Sequence, residues 1–105
     1  MNKSDLGILT LFTNRIRDRF PNATVWAYGS RVKGTAAENS DLDVCVVVEY
    51  LNEEVDGIIM DLAWQVGFDN DVLISTVTFS KEEFETGPCS ESPLVRTILH
   101  EGFAA

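Results

Sequence analysis

The sequence predicts a small α/β or α+β domain, a mixed β-sheet of about three strands flanked by helices. Two observations predict it. Helical periodicity runs through residues 4–20 and 53–67, while residues 24–28, 42–48 and 71–79 are β-branched and aromatic runs of strand length. Punctuation falls at short intervals, with no repeat, low-complexity tract or linker between the runs. A third observation bounds the size: 105 residues, 45% of them hydrophobic, supply one core and no second lobe, so residues 1–105 are expected to form a single domain.

Leu6, Leu9, Phe12, Ile16 and Phe20 recur at helical spacing, with Ser4 or Asp5 as a cap and Pro21 as a stop. Thr24 to Tyr28 then reads as a short strand that runs into Gly29-Ser30. Residues 31–40 are polar and suggest a helical turn and a loop. Leu42 to Val48 is the strongest strand, and its near-continuous apolar character predicts a central position in the sheet. Val55, Ile58, Ile59, Leu62, Ala63 and Val66 mark the next helix, with Gly67 as its stop. A third strand follows from Asp71 to Phe79. Ser80-Lys81-Glu82-Glu83 has the form of a capping box, and Ser92-Pro93 opens a last helix that Gly102 ends.

Composition excludes several roles. No apolar run approaches the roughly 20 residues that span a bilayer, and the first residues lack the apolar stretch of a signal peptide, so a cytoplasmic protein is expected. The net charge of −9 disfavours direct nucleic-acid binding and suits either a cation site or a basic partner. Two cysteines, Cys45 and Cys89, and one histidine, His100, make no zinc pattern.

The informative stretch is Tyr28-Gly29-Ser30-Arg31-Val32-Lys33-Gly34, followed by Ser40-Asp41-Leu42-Asp43. Glycine lets a backbone approach an anion, and the amides that follow, with the Ser30 hydroxyl, can donate to phosphate oxygens. On a strand, Asp41 and Asp43 share a face. Adjacent carboxylates repel unless a cation sits between them, and oxygen-only ligands suit Mg²⁺. A Gly-Ser turn alone is usually a turn, and an Asp-x-Asp alone is usually a solvated strand edge. Their combination at this spacing is far more specific.

Gly-Ser, ten residues, then Asp-x-Asp resembles the signature of the DNA polymerase β-like nucleotidyltransferase superfamily. More narrowly, the chain resembles the minimal nucleotidyltransferases of prokaryotes, with Arg31, Gly34, Ser40 and the tail from Ser92-Pro93-Leu94 to Glu101-Gly102 extending the likeness. The resemblance implies that fold, two Mg²⁺ ions and ATP as substrate. It implies that Gly29 and Ser30 hold the triphosphate, that Arg31 adds a cationic contact, and that Asp41 and Asp43 bridge the metals. It also implies a third carboxylate on the neighbouring strand, for which Asp71 is the first candidate and Asp69 the alternative.

The same resemblance implies a biological role. The chain is similar to the antitoxin of a toxin–antitoxin pair, an enzyme that transfers AMP to a hydroxyl of a helical HEPN-type ribonuclease toxin. Two other functions compete, a binding module that neutralises its partner by occlusion and a small-molecule nucleotidyltransferase of the antibiotic-modifying kind. Homo- and hetero-oligomers are both open. Trp26 and Trp64 read as core or interface aromatics, His100 as a structural histidine, and Lys33 as surface charge.

Overall fold

The computed structural model describes residues 1–34, 40–87 and 91–105. In chain order the elements are α1 (Lys3–Arg19), β1 (Thr24–Tyr28), α2 (Ser30–Lys33), β2 (Leu42–Val48), α3 (Glu53–Asp69), β3 (Ile74–Ser80), α4 (Lys81–Glu85), α5 (Pro93–Glu101) and β4 (Phe103–Ala104). The strands form one mixed sheet in the order β3-β2-β1-β4. β1 pairs antiparallel with β2 and with β4, and β2 pairs parallel with β3.

β2 occupies the centre because it is apolar on both faces. Leu42, Val44, Val46 and Val48 point to one side, with Val25, Ala27 and Ile74 of the neighbouring strands. There they meet Leu9, Phe12 and Ile16 of α1 and Ile59, Ala63 and Val66 of α3. Cys45 and Val47 point to the other side, where Phe79, Phe84, Val95 and Ile98 close a smaller core beneath α4 and α5. Each large apolar side chain so buried contributes about 1.5–3 kcal/mol by leaving water. Phe84 anchors α4 by its ring contact with Phe79, 5.6 Å between centroids.

Three boundaries differ from the sequence reading, and one strand is new. The cap of α1 is Asn2, whose side chain accepts from the Asp5 N–H, and Asp5 itself is buried. Gly67 does not stop α3. The helix runs on to Asp69, and Asn70 caps it with its N–H on the Gly67 and Phe68 carbonyls. β3 starts at Ile74, not at residue 71, because Asp71 takes the left-handed conformation with φ +56° and the Val72 N–H turns back to the Gly67 carbonyl. The fourth strand, two residues long, was not expected. The capping box at Ser80 and Glu83 and the Ser92 cap form as predicted. Among the described residues, no helix is long and apolar enough to cross a membrane.

Candidate active site

The antiparallel register of β1 and β2 sets Tyr28 opposite Asp43. The chain then turns at Gly29, with φ +82° and ψ −159°, directly into α2. An L side chain rarely adopts that backbone, and space forbids one too: a Cβ on Gly29 would lie 2.6 Å from Oδ2 of Asp43. The Asp43 carboxylate therefore lies against the Gly29 backbone. Ser30 opens α2, and helix geometry directs the amides of that first turn back toward Gly29. Gly34 closes the turn in the left-handed conformation, its N–H donating to the Ser30 carbonyl.

Asp41 is exposed at the mouth of β2 and Asp43 is half-buried one step inside it. Burial raises the Asp43 carboxyl above its ordinary value, and the neighbouring Asp41 charge raises it further. Tyr28 is pushed up by burial first, then by Asp43 and Cys45, so it is a neutral phenol at physiological pH. Burial pushes the Cys45 thiol to about 12, which makes it a core residue and no nucleophile. The oxygen-only chemistry of the pair and its mutual repulsion fit a hard divalent cation. Among the described residues, no third Asp, Glu, His or Cys joins the pair in a group able to hold a metal.

Arg31, expected to add a cationic contact to the triphosphate, is engaged within the chain. Its Nη1 donates to Oδ1 of Asp5 at 2.7 Å, and its Nε and Nη2 donate to the Ser40 carbonyl at 2.8 and 2.6 Å. The guanidinium is largely buried, with 14% of its side chain exposed against 6% for Asp5. It thus ties α2 to α1 and to the residue that precedes Asp41. Lys33 makes an exposed ion pair with Glu101 at 3.0 Å, in keeping with a surface charge.

Asp71 is not on the strand beside Asp43. It sits in the turn after α3 and lines a cleft with Trp64 and Phe68, and Asp69 is the exposed last residue of α3. The residue in register with Asp43 on β3 is Ser75, exposed and on the same face as Asp43. Ser75 was not singled out in the sequence, and Asp5 was named there only as a possible cap. Asp5 reads as a cap in a first helical turn, and Ser75 only becomes visible once the β2–β3 register is known.

The family model described as the nucleotidyltransferase domain matches residues 9–103. The chain belongs to the nucleotidyltransferase domain family. A relative is the probable protein adenylyltransferase MntA of Haemophilus influenzae, 44% identical over 41 residues. That match covers 39% of this chain and 36% of the relative, so the chain aligns with about a third of the curated protein's length. Among solved structures, a toxin–antitoxin complex with AMP-PNP superposes with a TM-score of 0.61 at 18% identity, covering 99% of this chain and 72% of that one. The complex of tri-AMPylated Shewanella oneidensis HEPN toxin with MNT antitoxin gives 0.58 at 14% identity, covering 95% and 70%. At these identities the two structures establish a shared fold. This nucleotidyltransferase domain carries its Gly-Ser turn and its Asp pair together at one end of the sheet.

Proposed function

We propose that the chain is a Mg²⁺-dependent nucleotidyltransferase that moves AMP from ATP onto a hydroxyl of a partner HEPN-type toxin, and so acts as its antitoxin in the cytoplasm. The observation that carries this reading is the seating of Asp43 on Gly29 beside Asp41, which joins a phosphate-approach turn to a cation-seeking pair. The name of the Haemophilus relative and the AMPylated HEPN toxin in the Shewanella complex support the nucleotide and the acceptor. The net charge of −9 suits a basic partner.

Asp41 and Asp43 would hold the metal ions, two in the full reaction. Bound there, the ions supply charge stabilisation to the attacking and leaving oxygens. The Ser30 hydroxyl and the first amides of α2 bind the triphosphate and orient it along the turn. The acceptor oxygen bonds to the α-phosphorus as the bond to the bridging oxygen breaks. Pyrophosphate leaves, and the hydroxyl proton passes to solvent. Arg31 holds the turn and the Ser40 carbonyl in place, so that the Asp pair keeps its position relative to Ser30.

A second reading is favoured by the register of β3. Ser75 stands where a third carboxylate would face Asp43, which suits a domain that binds its partner and occludes it without efficient transfer. Intact-mass spectrometry of a HEPN-type partner incubated with this protein, ATP and Mg²⁺ separates the two. Adenylyl additions that disappear with Asp41→Ala/Asp43→Ala support transfer. An unmodified partner that stays bound and inhibited supports occlusion.

A further inference from the structure

Helix α3 packs one face on the sheet through Ile59, Ala63 and Val66 and leaves large apolar side chains on another. Met60, Trp64 and Phe68 are 56%, 65% and 75% exposed, and Leu73 in the following turn is 54% exposed. The Trp64 and Phe68 rings touch, 6.1 Å between centroids, and wall a cleft of about 440 Å³ that Leu73 and Asp71 complete. Aromatic side chains so close together on a surface mark an interaction site more often than scattered single residues do.

A second feature lies on the same face. Gly57 is one heptad before Trp64, so helical spacing aligns the two. Mid-helix glycine weakens a helix relative to alanine, yet beyond its own turn of helix no atom of the described residues lies within 4 Å of the place its Cβ would take. Nothing inside the molecule requires a glycine there. A partner seated beside Trp64 would use the space it leaves.

The rim decides the chemistry of the partner. From residue 53 to residue 71 there are six carboxylates and no Lys, Arg or His; Glu53, Glu54, Asp61, Asp69 and Asp71 are exposed, while Asp56 turns inward and accepts from the Thr78 hydroxyl. Asp61 shares the row of Phe68, and Glu54 lies one heptad before it. Two copies of this chain, each at −9, would bring two acidic rims together, which opposes self-association through this face.

We propose that the Trp64–Phe68–Leu73 face of α3 is a docking surface for a basic protein partner, one that presents an apolar ridge flanked by lysines and arginines. The proposal rests on the reading that the domain acts on or binds a protein. It adds a position: the Leu42 N–H donates to the Leu73 carbonyl at 2.9 Å, so the surface adjoins the end of the sheet that carries Asp41. A partner seated on it lies at the same end of the sheet as the Asp pair but against the opposite face, since Leu42 and Val44 turn toward α3 and Asp43 turns away with Cys45.

The test uses two synthetic amphipathic helical peptides with the same leucine face, one flanked by lysine and arginine and the other by glutamate. Binding is read by the emission shift of Trp64 and by calorimetry. The cationic peptide is expected to bind and the acidic one to bind at least ~10-fold more weakly. Phe68→Ala should weaken the cationic peptide by about 10-fold or more, as expected for an aromatic anchor. Trp64→Phe should largely keep the affinity. Asp61→Lys should weaken it and flatten its salt dependence, while far-UV circular dichroism confirms that each variant folds. Equal binding of the two peptides, no loss with Phe68→Ala, or a dimer in sedimentation that Phe68→Ala dissolves would each overturn the proposal. A domain that docks the cationic peptide but transfers no AMP would count against the catalytic reading alone.

Discussion

A side chain on Gly29 and the carboxylate of Asp43 would occupy the same space, 2.6 Å separating a Cβ there from Oδ2. The turn and the acid are thus one unit. Gly29→Ala must move the carboxylate or the turn, and it forces an L residue to φ +82°. The expected outcome is a loss of AMP transfer of about 100-fold, since small displacements of reacting groups have effects of that size. Strain of about 1–3 kcal/mol should appear as a lower urea midpoint. Wild-type transfer by a folded Gly29→Ala variant would show that the contact is incidental.

The raised carboxyl of Asp43 makes a signed prediction. Its folded value lies above the unfolded one, so the folded state binds the proton more tightly. The group favours folding below the unfolded value, and that contribution is lost as pH rises through the folded value. At neutral pH the metal-free protein therefore holds an unfavourable charge, and Asp43→Asn should raise Tm there. The gain should vanish below the ordinary carboxylate range, where both proteins are neutral at this position. Mg²⁺ should raise the Tm of the wild type and leave that of Asp43→Asn nearly unchanged, because the cation needs the ionised pair. Scanning calorimetry at acid and neutral pH, with and without Mg²⁺, checks both statements.

How far the sequence carried this reading depended on whether the deciding contact was local. The apolar run of β2 announced a central strand, and the Ser80 and Ser92 caps were legible because a cap is a matter of three or four consecutive residues. Asp5 was misread for the complementary reason. Its partner, Arg31, is 26 residues away, and only the tertiary structure distinguishes a capping acid from a buried ion-pair acid. β3 was started too early because Asp71-Val72-Leu73 has strand-like apolar content, while the left-handed turn at Asp71 leaves little local trace. β4 escaped because two residues after Gly102 carry no periodicity at all. Its pairing with β1 is supplied by the sheet edge waiting for it.

Arg31 gives a prediction about assembly of the site. Arg31→Met leaves Asp5 buried without its cation and removes two donors from the Ser40 carbonyl. Breaking a buried pair from one side costs about 3–5 kcal/mol. The double change Asp5→Leu/Arg31→Met should recover most of that stability, since no lone charge remains. It should not recover transfer, because the Arg31 bonds that tie the Gly29-Ser30 turn to the Ser40 carbonyl are then lost. Urea melts and adenylyl-transfer rates on the two variants separate the structural part from the positioning part. Full transfer by the stable double variant would reduce Arg31 to a structural residue.

The last prediction concerns the rung that Asp43 shares with Ser75. Cα partners on adjacent strands place their side chains side by side on one face, and Ser75 is exposed there. Ser75→Asp would set a third carboxylate next to the pair, at the cost of more repulsion in the metal-free protein. The expected signature is paired: a lower Tm without Mg²⁺, and a Mg²⁺ or Mn²⁺ affinity raised by about 10-fold with a faster transfer rate. Asp71→Ala, altered in the turn beyond Ile74, should leave cation affinity unchanged, since Asp71 faces the cleft with Trp64 and Phe68. If Asp71→Ala instead abolishes cation binding and Ser75→Asp adds nothing, the loop that carries Asp71 folds over the pair when the metal arrives, and the third acid is Asp71 after all.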